Sequence, residues 1–488
     1  MFSMSALELA AAVKEKKLSV AEVVSAYIET TENTDNKHNS FLAVSKEYAL
    51  ESAREVQSRL ESGETLSPLA GIPIALADNI STTGIETTCA SKMLKGYSPV
   101  FSAAVVERLE QAGMVIIGKL NMDEFAMGSS GETGAFGPVK NPWDISRVAG
   151  GSSSGSAAAI AAGEAPLTLG SDTGGDLRQP CAFCGVTGIK PTYGAVSRFG
   201  LIANASSFDQ IGPAGRNMDD CAALLSIISG ADGRDGTCVL EKPYIFDKNP
   251  AEHLDGVRIG LPGNLMTGIA EDVKGSVLAA AREFQAAGAI VEEFEMPLVD
   301  CLFPAWYIIA CAEASSNLGR YDGLKYGYRS GNARTLSEVY RLSRGEGFGL
   351  EVKRRIMFGA LMLSSGCYDT YFSKAMRART VIMNACRKLL LDFDMLLFPV
   401  VPDTAHGLGE TAGSPMNMFA GAAYNVLANL AGLPAASLPC GFDRHGLPIG
   451  FQLISSAFME EKLIFAARTY QSRTVYHNRL PCGQGIGL

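Results

Sequence analysis

Two turns rich in glycine and serine carry residue types suited to acyl transfer. The first reads Gly150-Gly151-Ser152-Ser153-Ser154-Gly155-Ser156, and the second reads Gly170-Ser171-Asp172-Thr173-Gly174-Gly175-Asp176. Hydroxyls can attack a carbonyl and relay protons, while glycine leaves backbone N–H groups bare enough to hold an oxyanion. The N–H groups of Thr173, Gly174, Gly175 and Asp176 are the candidate oxyanion donors. The first turn also fits the spacing GxSxG with Ser153 as nucleophile, but that motif needs a strand directly before it. Residues 141–148, with Pro142 and Asp144, do not read as one. The five histidines are scattered along the chain, so a Ser–His–Asp triad is disfavoured. A phosphate-binding loop would need a lysine after the glycines, and Ser156-Ala157 supplies none.

These turns need elements to position them. Strand-like apolar runs fall at 72–76, 114–117, 167–169, 257–261, 395–400, 436–439 and 449–453. Helical periodicity separates them at 103–112, 218–228, 272–287, 351–363 and 460–470. Asp219 and Asp220 open the second of these helices, where acidic side chains favour the N-terminus. Residues 4–20 read as one amphipathic helix with Glu8, Lys14 and Glu15 on its wet side. Alternation of strand and helix predicts an α/β fold: a single large domain over 1–488 with a mixed, mostly parallel sheet covered by helices on both faces. Residues 232–255 read as a polar surface excursion, and no linker or repeat divides the chain.

The chain has 488 residues, of which 47% are hydrophobic and 19% charged, enough for a sizeable core. A net charge of −9 argues against broad nucleic-acid binding by this chain itself. No segment reaches the roughly 18 uninterrupted apolar residues of a membrane helix. The N-terminus lacks a signal-peptide pattern, so a cytoplasmic protein is expected. Eleven cysteines, an odd number, suit reduced thiols better than a disulfide framework. Cys181 and Cys184 form a CxxC, but no second CxxC or nearby histidine completes a metal site, and none is expected.

In three places the chain resembles the amidase signature family, whose machinery is a Ser–Ser–Lys triad. The resemblance covers nearly the whole sequence, with a signature core at about 66–215. Gly71-Ile72-Pro73-Ile74-Ala75-Leu76-Ala77-Asp78-Asn79 matches the strand that delivers the family lysine, which falls on Ala77. The first Gly/Ser turn delivers the middle serine, Ser152, held in a cis peptide in the family. Asp172-Thr173-Gly174-Gly175-Asp176-Leu177-Arg178-Gln179-Pro180 matches the nucleophile block, with the nucleophilic serine falling on Asp176. The resemblance implies that a neutral lysine draws the nucleophile's proton through the middle serine. Ala77 cannot titrate, and a carboxylate attacking an amide would form an anhydride, so hydrolysis is expected to fail. The Asp176 carboxylate has two candidate placements: within the N–H cluster as a substitute for substrate, or in solvent or paired with Arg178.

Residues 313–323, 351–357 and 364–369 resemble the tRNA-linked branch of the family, the A subunits of glutamyl-tRNA(Gln) amidotransferases. That resemblance implies a heterotrimer in which the A subunit releases ammonia from glutamine for B-like and C-like partners. ATP and magnesium would be held only by the B subunit, through which alone tRNA would be met; no cofactor is expected in this chain. The family's glutamine pocket carries over to Tyr307, Gly128 and Ser129, with an arginine at Arg354 or Arg355, Arg355 being favoured. An aspartate that meets the substrate's amino group is missing from Met418-Phe419-Ala420-Gly421-Ala422-Ala423-Tyr424. Loss of base, nucleophile and ammonium partner together implies a chain released from cleaving glutamine. A non-catalytic scaffold or regulator, or a binder of another small ligand, are the alternatives.

Overall fold

The computed structural model describes residues 1–246, 253–411 and 421–481. Eleven strands form one continuous sheet: β1 (Phe41–Val44), β2 (Pro73–Ala77), β3 (Val115–Leu120), β6 (Leu167–Asp172), β7 (Thr187–Lys190), β8 (Gln210–Gly215), β9 (Arg258–Pro262), β10 (Ile290–Phe294), β11 (Met395–Pro399), β12 (Ala435–Phe442) and β13 (Pro448–Ser455). A separate ribbon pairs β4 (Lys140–Asn141) with β5 (Asp144–Val148). The order across the large sheet is β1-β3-β2-β6-β8-β7-β12-β13-β11-β9-β10. The sheet is mixed. Parallel pairing joins β3, β2 and β6 on one side and β11, β9 and β10 on the other. Antiparallel pairing fills the middle from β6 through β11 and adds β1 at one edge. This is a large α/β domain whose main core draws residues from Ala6 to Tyr470.

The strands that carry the site, β2 and β6, are buried along their whole length. Burial on both faces explains why β2 reads as a continuous apolar run rather than an alternating one. The regular elements follow the sequence periodicity closely; the helix Met218–Ile228 has the predicted bounds.

Two local readings need correction. The expected helix at 4–20 is two helices, Ala6–Lys14 and Val20–His38. Each opens with a capping box, Ser5 with Glu8 and Ser19 with Glu22, and Lys16 between them takes a left-handed φ of 59°. Residues 141–148, read as unable to form a strand, contain β5. Pro142 sits in the turn of the ribbon rather than within a strand, and the Asn141 side chain holds that turn by accepting from the Trp143 N–H at 3.0 Å. Asp220 also does more than open its own helix: its carboxylate accepts from the N–H groups of Ala6 and Leu7 at 2.9 and 3.0 Å.

Candidate active site

Strand β6 runs into the turn that starts at Asp172, and the helix Arg178–Cys184 follows it. Asp172 organises this turn. One of its oxygens accepts from the Gly175 N–H at 2.9 Å, from Arg178 Nη2 at 3.1 Å and from Asn429 Nδ2 at 2.8 Å. The other accepts from Arg178 Nε at 3.0 Å and from the Leu177 N–H at 3.3 Å. The guanidinium of Arg178 also donates to Gln452 Oε1, Asn429 Oδ1 and the Asn425 carbonyl, at 2.6, 2.7 and 3.1 Å. Arg178 and Asp172 are both fully buried. Burial pushes the Asp172 carboxyl up, but the Arg178 charge and hydrogen bonds outweigh it and hold the group well below the usual carboxylate range.

Arg178 is therefore committed to Asp172, and Asp176 takes the first of its two candidate placements. Asp176 Oδ2 accepts from the N–H groups of Thr173 and Gly174 at 2.9 and 2.7 Å. The Gly175 N–H points elsewhere, to Asp172. Burial first, and then the neighbouring Asp172 charge, push the Asp176 carboxyl up to about 7, against the pull of the two amides and of Arg355. The glycines are dictated by close packing. A Cβ on Gly174 would lie 2.4 Å from Trp306 Cζ2. Gly175 adopts φ +108°, with Asn425 against the same face. Trp306 Nε1 donates to the Thr173 carbonyl at 2.8 Å, and Thr173 Oγ1 donates to Asp209 at 2.7 Å, fixing the turn from both sides.

The first Gly/Ser turn docks onto the second through the Ser153 N–H, which donates to the Asp176 carbonyl at 2.8 Å. The Gly151–Ser152 peptide is cis. Ser153 Oγ donates to the Ser171 carbonyl at 2.9 Å and accepts from the Ser171 N–H at 3.1 Å, so this hydroxyl is tied to the backbone rather than poised for attack. Ser152 is fully buried, and its Oγ has no hydrogen-bond partner among the described residues. Beneath this turn lies Asp123, which belongs to none of the motifs legible in the sequence. It accepts from the Gly131 N–H and from both the N–H and hydroxyl of Thr133. Its carboxylate fits against Gly128 and Gly151, where a Cβ would come within 2.3 and 2.0 Å of it. Ser129 offers its carbonyl to Gln179 Nε2 at 3.1 Å.

Ala77 closes β2 with its methyl fully buried. Two buried lysines lie in the same sheet, and both are engaged away from Ser152. Lys119 donates to the Ile80 carbonyl and to Thr87 Oγ1, 3.9 Å from Asp78, and burial pulls its pKa down to about 8. Lys190 donates to the Pro191 carbonyl at 2.8 Å, with its pKa pulled down by burial to about 7.

The helix Val299–Asn317 carries Trp306 and Tyr307. The helix Leu350–Met362 packs on it so closely that a Cβ at Gly359 would lie 1.9 Å from the Cys311 carbonyl oxygen. Arg355 faces inward, is 1% exposed, donates to Glu351 at 3.1 Å and lies 5.8 Å from the centroids of both the Trp306 and Tyr307 rings. Arg354 pairs with the other Glu351 oxygen from a more exposed position. Of the stretch expected to lack the ammonium-binding aspartate, 418–420 lie outside the described residues; Ala422 begins the helix Ala422–Ala431. Cys181 and Cys184 are buried core thiols whose pKa values burial pushes up, and no metal-ligand cluster occurs among the described residues.

A β-strand ending in a signature loop, a cis Gly–Ser peptide and an N–H-rich turn at the end of β6 thus converge on one buried locus. The family model described as Amidase matches residues 22–464, and the chain belongs to that family. It is 51% identical over 482 residues to the A subunit of glutamyl-tRNA(Gln) amidotransferase from Lachnoclostridium phytofermentans, covering 97% of this chain and 98% of that one. It is 50% identical over 472 residues to the protein of the same name from Agathobacter rectalis, covering 96% and 94%. The crystal structure of the Thermotoga maritima A subunit superposes with a TM-score of 0.81 at 38% identity over 99% of this chain and 98% of that one. A chain solved in a vestigial protein complex, connected with the origins of an s-triazine catabolic enzyme, gives a TM-score of 0.85 at 30% identity over 96% and 98%.

Proposed function

We propose that this chain is an amidotransferase A-subunit homologue that assembles with B-like and C-like partners but does not hydrolyse glutamine. The observation that carries this reading is the Asp176 carboxylate bound by the Thr173 and Gly174 amides. A carbonyl oxygen can be polarised there only if that carboxylate leaves, and no hydroxyl stands at position 176 to attack it. Ala77 offers no base to Ser152. Removing a nucleophile or base from a comparable hydrolytic relay costs on the order of 10⁶ in rate. The change at 176 also alters the charge logic: a substrate amide would have to approach a carboxyl that becomes an anion above about pH 7, rather than a neutral hydroxyl. In this reading ATP, magnesium and tRNA belong to the B partner, and the assembly works in the cytoplasm.

Arg355 supports a second reading, capture of a small carboxylate, because a buried guanidinium beside Tyr307 suits such a group. Without an acid at 422 that ligand would not need an amino group. The test is ammonia release from glutamine by the chain alone and with B and C partners, beside the double variant Ala77→Lys/Asp176→Ser. Co-purification without turnover is expected, with turnover gained in the double variant. Turnover by the unchanged chain would overturn the non-hydrolytic reading.

A further inference from the structure

Between residues 320 and 388 stand fourteen of the chain's 42 Lys and Arg but only five of its 51 Asp and Glu. A chain with a net charge of −9 thus carries one strongly basic stretch. Its first part, the loop after Arg320 and the helix Leu336–Gly347, folds as a lobe against the short helix Lys92–Leu94. The Tyr328 N–H donates to the Met93 carbonyl at 2.7 Å, and the Ser330 N–H donates to Ser343 Oγ at 3.1 Å. Arg344 ties the helix to the start of the loop by donating to the Leu318 and Tyr321 carbonyls, each at 2.9 Å. Met93, Tyr321 and Phe348 join Phe125 in a buried apolar cluster that anchors the lobe.

The lobe spends its acids on its own backbone and hydroxyls and leaves its cations in water. Glu346 accepts from Tyr328 Oη and Ser330 Oγ at 2.7 and 3.1 Å. Glu338 accepts from the Arg334 and Thr335 N–H groups at 2.8 and 3.1 Å, and Asp322 from the Leu324 N–H at 2.8 Å. Glu86 accepts from the Gly96 N–H, next to Lys95, at 2.6 Å. Lys92, Lys95, Lys325, Arg329, Arg334 and Arg341 are exposed, and none of them forms an ion pair among the described residues. Between these cations Tyr326, Tyr328 and Tyr340 are 37–40% exposed. The Tyr326 ring is set edge-on by Tyr321, with centroids 5.6 Å apart. Burial raises the Tyr326 phenol pKa, and the Arg320 charge beside it pulls the other way.

We propose that the lobe formed by residues 92–97 and 320–347 is a docking surface for single-stranded RNA, its cations meeting phosphates and its tyrosine rings stacking on bases. Guanidinium forks suit phosphate oxygens, and exposed rings among them offer platforms for unpaired bases. An acidic peptide would satisfy the cations but has no ring to lay on the tyrosines. The acidic remainder of the chain repels a polyanion, which confines the contact to this lobe. The surface uses none of the residues around Asp176, and it goes beyond the assignment of RNA to a partner: RNA would also meet this chain directly.

The probe is a fluorescein-labelled oligouridylate of about 15 nucleotides, titrated with the full chain and read by anisotropy between about 50 and 200 mM salt. Saturable binding is expected, with log K falling against log salt at a slope of about −2 to −3. Arg329→Glu/Arg341→Glu should weaken binding at least about tenfold and make that slope shallower by about 1. Tyr326→Ala/Tyr340→Ala should weaken it about tenfold with the slope unchanged, the mark of lost stacking rather than lost charge. Lys14→Glu/Arg54→Glu makes the same change of net charge on exposed helices elsewhere and should leave binding as it was. The surface is overturned by absence of saturable binding at the lowest salt, or by an equal loss in the Lys14→Glu/Arg54→Glu chain. Unaltered binding in either lobe variant would also overturn it. So would competition by poly-glutamate as strong as by unlabelled oligouridylate, which would assign the lobe to an acidic protein instead.

Discussion

Asp172 and Asp176 sit four residues apart in one turn, both out of water, and their surroundings drive them in opposite directions. Asp172 has a guanidinium across two bonds, three backbone amides and an asparagine, and stays ionised. Asp176 has two amides and an anionic neighbour, and its carboxyl rises to about 7. The first carboxylate is built into the turn; the second occupies a donor pair that the turn would present whatever side chain stood at 176. At Asp176 two backbone donors do not offset burial beside an anion, whereas at Asp172 the paired guanidinium does.

The largest effect is expected at Arg178. Arg178→Met would leave Asp172 buried without its cation, at a cost of about 3–5 kcal/mol. Chemical denaturation should show that loss, and a change below about 1 kcal/mol would mean that the amides and Asn429 suffice for Asp172. Asp176→Asn should act in the other direction, with a sign set by linkage. The folded pKa of about 7 lies above that of an unfolded aspartate, so the native state is less stable as pH rises toward 7. An asparagine, having no proton to lose, escapes this loss. The stability advantage of the Asp176→Asn chain should grow between pH 5 and 7, by up to roughly 1.4 kcal/mol per pH unit, and then level off. An advantage that shrinks with pH would show that the amides favour the anion. The smallest effect is expected at Asp220, another buried carboxylate held by two amides, those of Ala6 and Leu7. Asp220→Ala should cost about 1 kcal/mol, read as earlier exchange of amide hydrogens in the helix Ala6–Lys14.

Much of the fold was legible because buried strands and amphipathic helices repeat on short periods. The seven apolar runs each became a strand, and Gly/Ser composition located both turns. The break at Lys16 was also written locally, in the paired Ser-x-x-Glu caps at Ser5 and Ser19, but overall amphipathicity masked it. The ribbon at β4 and β5 was hidden because Pro142 reads as a strand breaker until Asn141 is seen folding the turn around it. The fate of Asp176 depended on where Arg178 points. That choice is made by Gln452, Asn425 and Asn429, which lie about 250 residues or more away in sequence. Asp123 had no local signature either, since its partners Gly131 and Thr133 are ordinary loop residues.

The grip of Arg178 on Gln452 has a consequence for biogenesis. Gln452 lies on β13, the last strand in chain order among the described residues, so a nascent polypeptide can complete its β6 turn only after the other described strands of the sheet have been made. Until then the Arg178 guanidinium lacks the partner of its Nη1. A stalled or clipped product lacking β13 would carry every signature residue of the turn and still be unable to lock it.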